Sequence, residues 1–390
     1  MFKKIAIKTG VLTTVFILAV IVSSYVTNRG NTDMSADMGG ATLPRISFMT
    51  EGYEVNSLPG YKSDMTLTSM RDTLTPVTNN QLDMNIAKYD NQIQKVYWQV
   101  YTLNGKKCIQ EGTIKDVQDT VTLNFKNTKI LKEERILKVT LYLDNQNIYF
   151  YTRIKNSADC NYKASLDFAN NFHSAALEGQ GDKIESYLET DTDSDADSST
   201  YQEVTLASTQ AQVLWGSLAP QVSGNVYWEI KECNENYTSL VLKYQVKCAG
   251  DTDYADRLYS VKEFFRIRTG EDAQQYLLDY DRTMNQRFDG KTTALNQKGV
   301  LVGIAPTELE YETNTDGTIV AFIEDNQLWH YDKKEDEMSL VFGFADAENM
   351  DVRTLCDLHD IRLISVDEQG NTDYITFQCV VFDYLTSSIK

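Results

Sequence analysis

Histidine is nearly absent from this chain: His173, His330 and His359 are the only three in 390 residues. They fall on a helix-like segment, a strand-like segment and a connection, so no imidazole cluster for metal binding or proton transfer is legible. The GxSxG, HExxH, Walker and kinase signatures are missing too, which removes the enzyme classes those motifs define. Six cysteines occur without CxxC or metal-ligand spacing. Cationic residues are in deficit, with 37 Lys and Arg against 56 Asp and Glu and a formal net charge of −19. That field repels phosphate backbones and anionic head groups, so no nucleic-acid partner is expected. Proline is scarce at five, whereas tyrosine reaches 23 and Val, Ile, Thr and Tyr cluster in short alternating runs. That combination reads as a β-rich chain, and the length implies more than one core.

One long apolar run stands out at the start. "MFKKIAIKTGVLTTVFILAVIVSSYV" places Lys3, Lys4 and Lys8 ahead of the uncharged stretch 9–28, about the length that crosses a hydrocarbon core. The positive flank, 1–8, is expected in the cytoplasm. A cleaved signal peptide is the rival, but its apolar region is usually shorter, and Val22-Ser23-Ser24 is a poor small-x-small cleavage site. We therefore expect a single-pass transmembrane anchor in the cell membrane with the bulk of the chain extracytoplasmic. No cysteine lies near this segment, which excludes a lipoprotein.

In an exported chain cysteines invite a disulfide reading. Cys233 and Cys248 flank a hairpin whose turn near Asn234 to Tyr237 sets Cys233 opposite a residue near Ser239. That pair is too far apart to bridge, and it is expected to stay reduced. Cys108, Cys160, Cys356 and Cys379 stand singly and read as small buried hydrophobes rather than as disulfides or ligands.

The remaining chain divides by period. Residues 29–42 are small and polar, a flexible linker. In 43–155, "KVYWQVYTL" puts Val96, Trp98 and Val100 on one face and Tyr97, Gln99 and Tyr101 on the other, and Asn104-Gly105 then supplies a turn. An antiparallel β-sandwich is expected there. From 156 to 290 a helix opens an α+β domain. Leu166, Ala169, His173 and Ala176 recur at helical spacing, with Asn161 as N-cap and Gly179 just past the end, before a long run of strands. This helix followed by a meander resembles the cone-shaped NTF2-like fold, which implies a sheet wrapping a helix around a pocket.

The last part, 300–390, contains a repeat. Aligning "ELEYETNTDGTIVAFIED" with "DIRLISVDEQGNTDYITF" superposes Gly317 on Gly370, a period of 53 residues. Strands are expected at 308–313, 317–323, 327–332 and 337–344, with two more in 361–383. This segment resembles TolB-like propeller repeats, in which a strand, a polar turn with Gly and an "LWxYD"-like strand recur. The whole layout resembles membrane-anchored surface proteins of Gram-positive anaerobes, of uncharacterised function, that end in such a propeller. Propellers close with about four to eight blades, so one and a half blades imply either a shortened reading frame or a half-blade packed on the preceding domain. Shortening is favoured, because the terminal "YITFQCVVFDYLTSSIK" is apolar rather than a polar cap. The expected fold class is thus mainly β with an α+β middle: a transmembrane helix, an antiparallel β-sandwich, a helix-plus-sheet domain and a partial β-propeller.

Candidate sites are few. Asp191, Asp193, Asp195 and Asp197 alternate as calcium ligands do, but Ala196 and Gln202 stand where an EF-hand loop needs Gly and Glu. A solvated acidic loop is the favoured reading, with calcium as the one cofactor it leaves open. His173 on the apolar helix face, and His330 beside Trp329, read as packed imidazoles. The run Gly179 to Asp182 follows a helix and reads as its cap rather than a phosphate loop. Trp98 and Trp228 alternate with polar residues and read as core-facing, although such aromatics also stack on sugars. These observations point to a membrane-anchored extracytoplasmic binding or scaffold protein with a protein or cell-wall partner. The alternatives are an enzyme acting on surface polysaccharide through a carboxylate pair, and an accessory regulator of a sensor kinase or of envelope stress.

Overall fold

The structure, a computed structural model, describes residues 8, 10, 12–19, 41–126, 131–189, 201–249, 257–288, 295–296, 299–300, 309–344, 352–355 and 359–378. It is a mainly β protein of several sheets. The expected anchor, 9–28, lies largely outside the described residues, and 12–19 within it are helical. Among the described residues no helix is long and apolar enough to cross a membrane.

The first strands are β1 (Arg45–Thr50), β2 (Tyr53–Leu58), β3 (Leu74–Val77), β4 (Gln81–Ala87), β5 (Ile93–Thr102), β6 (Cys108–Ile114), β7 (Thr120–Asn124), β8 (Arg135–Leu143) and β9 (Asn147–Asn156). Helix α1 (Tyr162–Leu177) follows, then β10 (Glu203–Thr205), the short α2 (Gln210–Val213), β11 (Pro220–Cys233), β12 (Thr238–Cys248), β13 (Arg257–Thr269) and β14 (Gln275–Gln286). A five-stranded sheet has the order β3-β9-β8-β5-β6, and a nine-stranded sheet runs β10-β14-β13-β12-β11-β2-β1-β4-β7. Alternation along β5 holds as read: Val96, Trp98 and Val100 are buried, while Tyr97, Gln99 and Tyr101 are half-buried on the opposite face.

The nine-stranded sheet crosses the boundary drawn at 155. Strand β2 pairs in parallel with β11 through Val55 and Trp228, and one hydrophobic core extends from Phe48 and Phe150 to Phe172 and Phe265. The join is held by Asn56, fully buried and at φ +53, a conformation that asparagine tolerates better than most residues. Its amide donates to the Leu74 carbonyl at 3.0 Å and to Thr75 Oγ1 at 2.8 Å, and its Oδ1 accepts from the Ile230 amide at 2.8 Å. One side chain thereby ties β2 to β3 and β11 and satisfies the buried Leu74 carbonyl and Ile230 amide.

Helix α1 forms where the spacing placed it. Leu166, Ala169, His173 and Ala176 are buried together with Phe172, and the helix packs against β11 to β14. Asn161 occupies the N-cap position without a side-chain cap bond. At the other end Gly179 adopts φ +69, with Gln180 N–H donating to Ala175 O at 2.8 Å and Gly179 N–H to Ala176 O. That is a Schellman closure, which requires the left-handed residue glycine provides at no steric cost.

The cysteine reading needs correction. Cys160, just ahead of α1, is disulfide-bonded to Cys233 at the end of β11, with Cα atoms 5.7 Å apart. Cys233 does face away from Cys248, lying opposite Thr238, and Cys248 is buried and reduced as expected. Cys108 is exposed rather than buried, because a register shift between Val100 and Tyr101 sets it opposite Tyr101 on the outer face of the sheet. Cys356 and Cys379 lie outside the described residues.

After β15 (Leu295–Asn296) and β16 (Gly299–Val300), a four-stranded antiparallel meander comprises β17 (Tyr311–Thr313), β18 (Ile319–Glu324), β19 (Gln327–Asp332) and β20 (Glu337–Phe342). A hairpin of β21 (His359–Val366) and β22 (Thr372–Gln378) completes the described chain. The two aligned glycines occupy matching turns, Gly317 at φ +63 and Gly370 at φ +85. In each turn the glycine N–H donates back three residues, to Asn314 O and to Asp367 O. Both turns are capped by a side-chain oxygen, Asn314 accepting from the Thr318 and Ile319 amides and Asp367 from the Gln369 and Asn371 amides.

Two outcomes test this account. Asn56→Ala is expected to cost about 2 to 4 kcal/mol in urea unfolding, since it orphans a buried amide and a buried carbonyl. Cys160→Ser is expected to cost about 2 to 4 kcal/mol, and alkylation followed by mass spectrometry without reductant should label Cys108 but neither Cys160 nor Cys233 in the native protein.

Candidate functional site

Strand β13 carries Tyr259, Val261, Glu263, Phe265 and Ile267 on its core-facing side. Glutamate is therefore the odd member of an otherwise apolar row. Directly across on β14 is Arg282, itself fully buried. Around Glu263 gather His173 from α1, with Nδ1 2.8 Å from Oε1, Tyr280 from β14, whose hydroxyl donates to Oε2 at 3.2 Å, and Tyr244 from β12, whose hydroxyl donates to Oε1. The Arg282 guanidinium lies over the Trp215 ring at 3.9 Å and donates to Val213 O at 2.8 Å and Gln212 O at 2.7 Å, so it closes the last turn of α2.

The electrostatics follow from these partners. Burial alone would raise the Glu263 carboxyl, but the charge and hydrogen bond of His173, with the charge of Arg282, outweigh it and hold the group below the usual carboxylate range. Burial first, and the nearby Glu263 charge second, push the Tyr244 and Tyr280 hydroxyls well up. Every member is nearly inaccessible: Glu263 is 1 % exposed, His173 6 % and Tyr244 0 %. Phe172, Phe265 and Tyr280 pack ring to ring under α1, where the NTF2-like resemblance implied a pocket. The cluster has the groups of an acid–base site, but its donors and acceptors face one another, so its chemistry is structural.

Among the described residues an open crevice lies elsewhere. About 290 Å³ in volume, it sits beside the disulfide between Asn161, Asn234, Tyr237 and Thr269. A broader solvent-facing surface is the outer face of the five-stranded sheet. Lys95 Nζ lies 3.9 Å above the Tyr142 ring, the Tyr97 hydroxyl donates to Glu111 at 2.5 Å, and Gln99 and Tyr101 continue the row. That hydrogen bond to Glu111, with burial, raises the Tyr97 hydroxyl well above its usual range. Part of this face is covered: Asp64 accepts from Lys138 and Tyr151, and Met65, Leu67 and Met70 pack on Tyr61 and Tyr151.

Asp191, Asp193, Asp195 and Asp197 lie outside the described residues, and no group of three metal-ligating side chains occurs among the described ones. His173 is the packed, satisfied imidazole expected. His330 is half-buried in β19, where burial lowers its basicity, and His359 Nε2 meets Asn326 O at 2.8 Å. Trp98 and Trp228 are buried, as read. Glu263 and Arg282 were missed, although the period-two pattern of "LYSVKEFFRI" and "YDRTM" already sets both on the core face.

No protein-family model and no curated protein matches the chain. What the described residues define is a class, a mainly β protein of several sheets with a closed ionic core, and its function has to be argued from geometry.

His173→Ala is expected to cost about 3 to 5 kcal/mol by leaving the Glu263 charge buried beside fewer partners. Because the folded value of Glu263 is depressed, its stabilisation is present above the ordinary 4.5 and is lost as pH falls through the folded value. Urea unfolding from pH 7 down to pH 3 should show that acid limb in the wild type and a flattened one in His173→Ala.

Proposed function

We propose that this protein is a single-pass, membrane-tethered extracytoplasmic binding protein that holds cell-wall polysaccharide on the outer face of its five-stranded sheet. The observation that carries the reading is that face. Tyr97, Tyr101 and Tyr142 lie on one face of the sheet, interleaved with Gln99, Glu111 and Lys95, whose polar groups can exchange their present contacts with Tyr97 and Tyr142 for hydroxyls and amides. Tyrosine suits such a surface because its ring packs on apolar C–H faces while its hydroxyl stays wet. Location is supported by the basic and apolar pattern of 1–28, by the polar linker 29–42, and by the Cys160–Cys233 bridge, which belongs to an oxidising compartment.

The finer architecture belongs to the same reading. Strands of 43–155 form a β-sandwich that bears the binding face on its outside. The meander of 311–342 is one propeller-like blade and 359–378 the opening hairpin of another, as the matched left-handed glycine turns support.

Co-sedimentation of the full-length protein in nanodiscs with purified sacculi tests the proposal. Tyr97→Ala combined with Tyr101→Ala should weaken binding about tenfold or more. Equal sedimentation of wild type and double variant would overturn the polysaccharide reading and leave a protein partner as the candidate.

A further inference from the structure

The turn between β18 and β19 brings three parts of the chain to one point. Asp325 and Asn326 form it, both left-handed at φ +46 and +58. The Asp325 carboxylate accepts from Ser260 Oγ on β13 at 3.3 Å, and Arg287, one residue past β14, sends its charge toward the same carboxylate. From β21, His359 Nε2 meets the Asn326 carbonyl at 2.8 Å. Beside the turn Glu324 is 2 % exposed and sits opposite Gln327, and its Oε2 has no hydrogen-bond partner. Next to Arg287, Phe288 inserts edge-on against Phe322 and Trp329, with ring centroids 5.4 Å and 4.9 Å apart. The meander is thus fastened to the nine-stranded sheet by one aromatic plug and one acidic turn.

We propose that this acidic turn is a proton-controlled latch, which clamps the C-terminal meander onto the nine-stranded sheet when its carboxyls are protonated and releases it when they ionise. The inference does not rest on the polysaccharide reading. Geometry supplies the reason: Glu324 lies on the same face of β18 as Phe322, which packs on Phe288 at the end of the large sheet, and it is buried without a cation of its own, so its charged form is disfavoured in the closed state. Asp325 has Arg287 and Ser260 facing it, His359 meets the turn at the Asn326 carbonyl, and the Asp325 charge acts on Glu324. Burial, then the Asp325 charge, push the Glu324 carboxyl up to about 8. Burial pushes Asp325 up to about 7, with the Arg287 charge and the Ser260 hydrogen bond working the other way.

The sign is set by which state holds the protons. In the docked state both carboxyls keep theirs to higher pH than when released into water, where 4.5 and 3.8 are ordinary. Docking is therefore strongest below about pH 4, weakens steadily as pH rises, and levels off above about pH 8, by up to about tenfold per pH unit for each group in its window. Release uncovers Phe288, Phe322 and Trp329, an apolar patch that the closed state hides.

Hydrogen exchange of the full-length protein in nanodiscs, at pH 5.5 and pH 8.0 and corrected for intrinsic rates, reads the latch. Peptides spanning 319–332 and 284–288 should lose about tenfold or more of their protection at pH 8.0, while those of β12 and β13 away from Ser260 keep theirs. Glu324→Gln with Asp325→Asn should abolish that pH response. Asp325→Asn alone, which keeps the turn's left-handed preference, should reduce it from two protons to one. Equal protection of the turn at both pH values, a loss shared equally by the core peptides, or an unchanged response in either variant would overturn the proposal.

Discussion

The buried amide of Asn56 is the point through which the two halves of the large sheet are joined. Parallel contact between β2 and β11 is short, limited to the neighbourhood of Val55 and Trp228, so the ladder itself contributes few hydrogen bonds there. Asn56 adds three, to β3 on one side and β11 on the other. A buried backbone N–H left unpaired costs about as much as a lost hydrogen bond, so the apolar seam between 43–155 and 203–286 depends on this one side chain keeping its left-handed backbone. With the seam closed, Phe150, Phe172, Phe265 and Trp228 share one interior. The disulfide fixes the same seam from another direction, because Cys160 closes the first half and Cys233 ends β11.

Two buried glutamates show how partners decide whether an acid is structural or titratable. Glu263 and Glu324 are almost equally inaccessible, at 1 % and 2 %. Glu263 has His173 and Arg282 for charge and two tyrosine hydroxyls for hydrogen bonds, and its carboxylate is held ionised. Glu324 has only another carboxylate beside it, and its proton is retained toward neutral pH. Desolvation works on both in the same direction. The difference lies in whether the sheet register brings a cation opposite, as Arg282 stands opposite Glu263 and Gln327 opposite Glu324.

Local periodicity was readable and long-range pairing was not. The face assignment of Val96, Trp98 and Val100, the span and closing glycine of α1, and the matched turns at Gly317 and Gly370 all follow from spacing of two, of 3.6, or of one repeat, which a strand, a helix or a turn expresses within a few residues. The Cys160–Cys233 bridge spans a helix and a hairpin, with 73 residues between its partners. Asn56, among many asparagines in this sequence, carries no mark of its special place, since its role exists only once β3 and β11 arrive. The buried ionic cluster was half legible: alternation sets Glu263 and Arg282 on the core face, but only the sheet order brings His173 and Tyr244 to them. The aspartates at 191 to 197 were conspicuous because charge runs are conspicuous, whereas the buried cluster around the Glu263 carboxylate is built from residues far apart in the chain.

These points converge on how the meander is held. Asn56 and the disulfide tie the large sheet together with groups that keep one state: an amide does not titrate, and a disulfide does not open without a reductant. The meander has no such tie to that sheet among the described residues. Its fastening there includes an aromatic plug at Phe288 and the acidic turn. Apolar packing is indifferent to pH, so of these two it is the turn whose strength follows proton concentration. A segment attached through a group whose charge depends on its surroundings is attached conditionally, and here the condition falls between the ordinary carboxylate range and about pH 8.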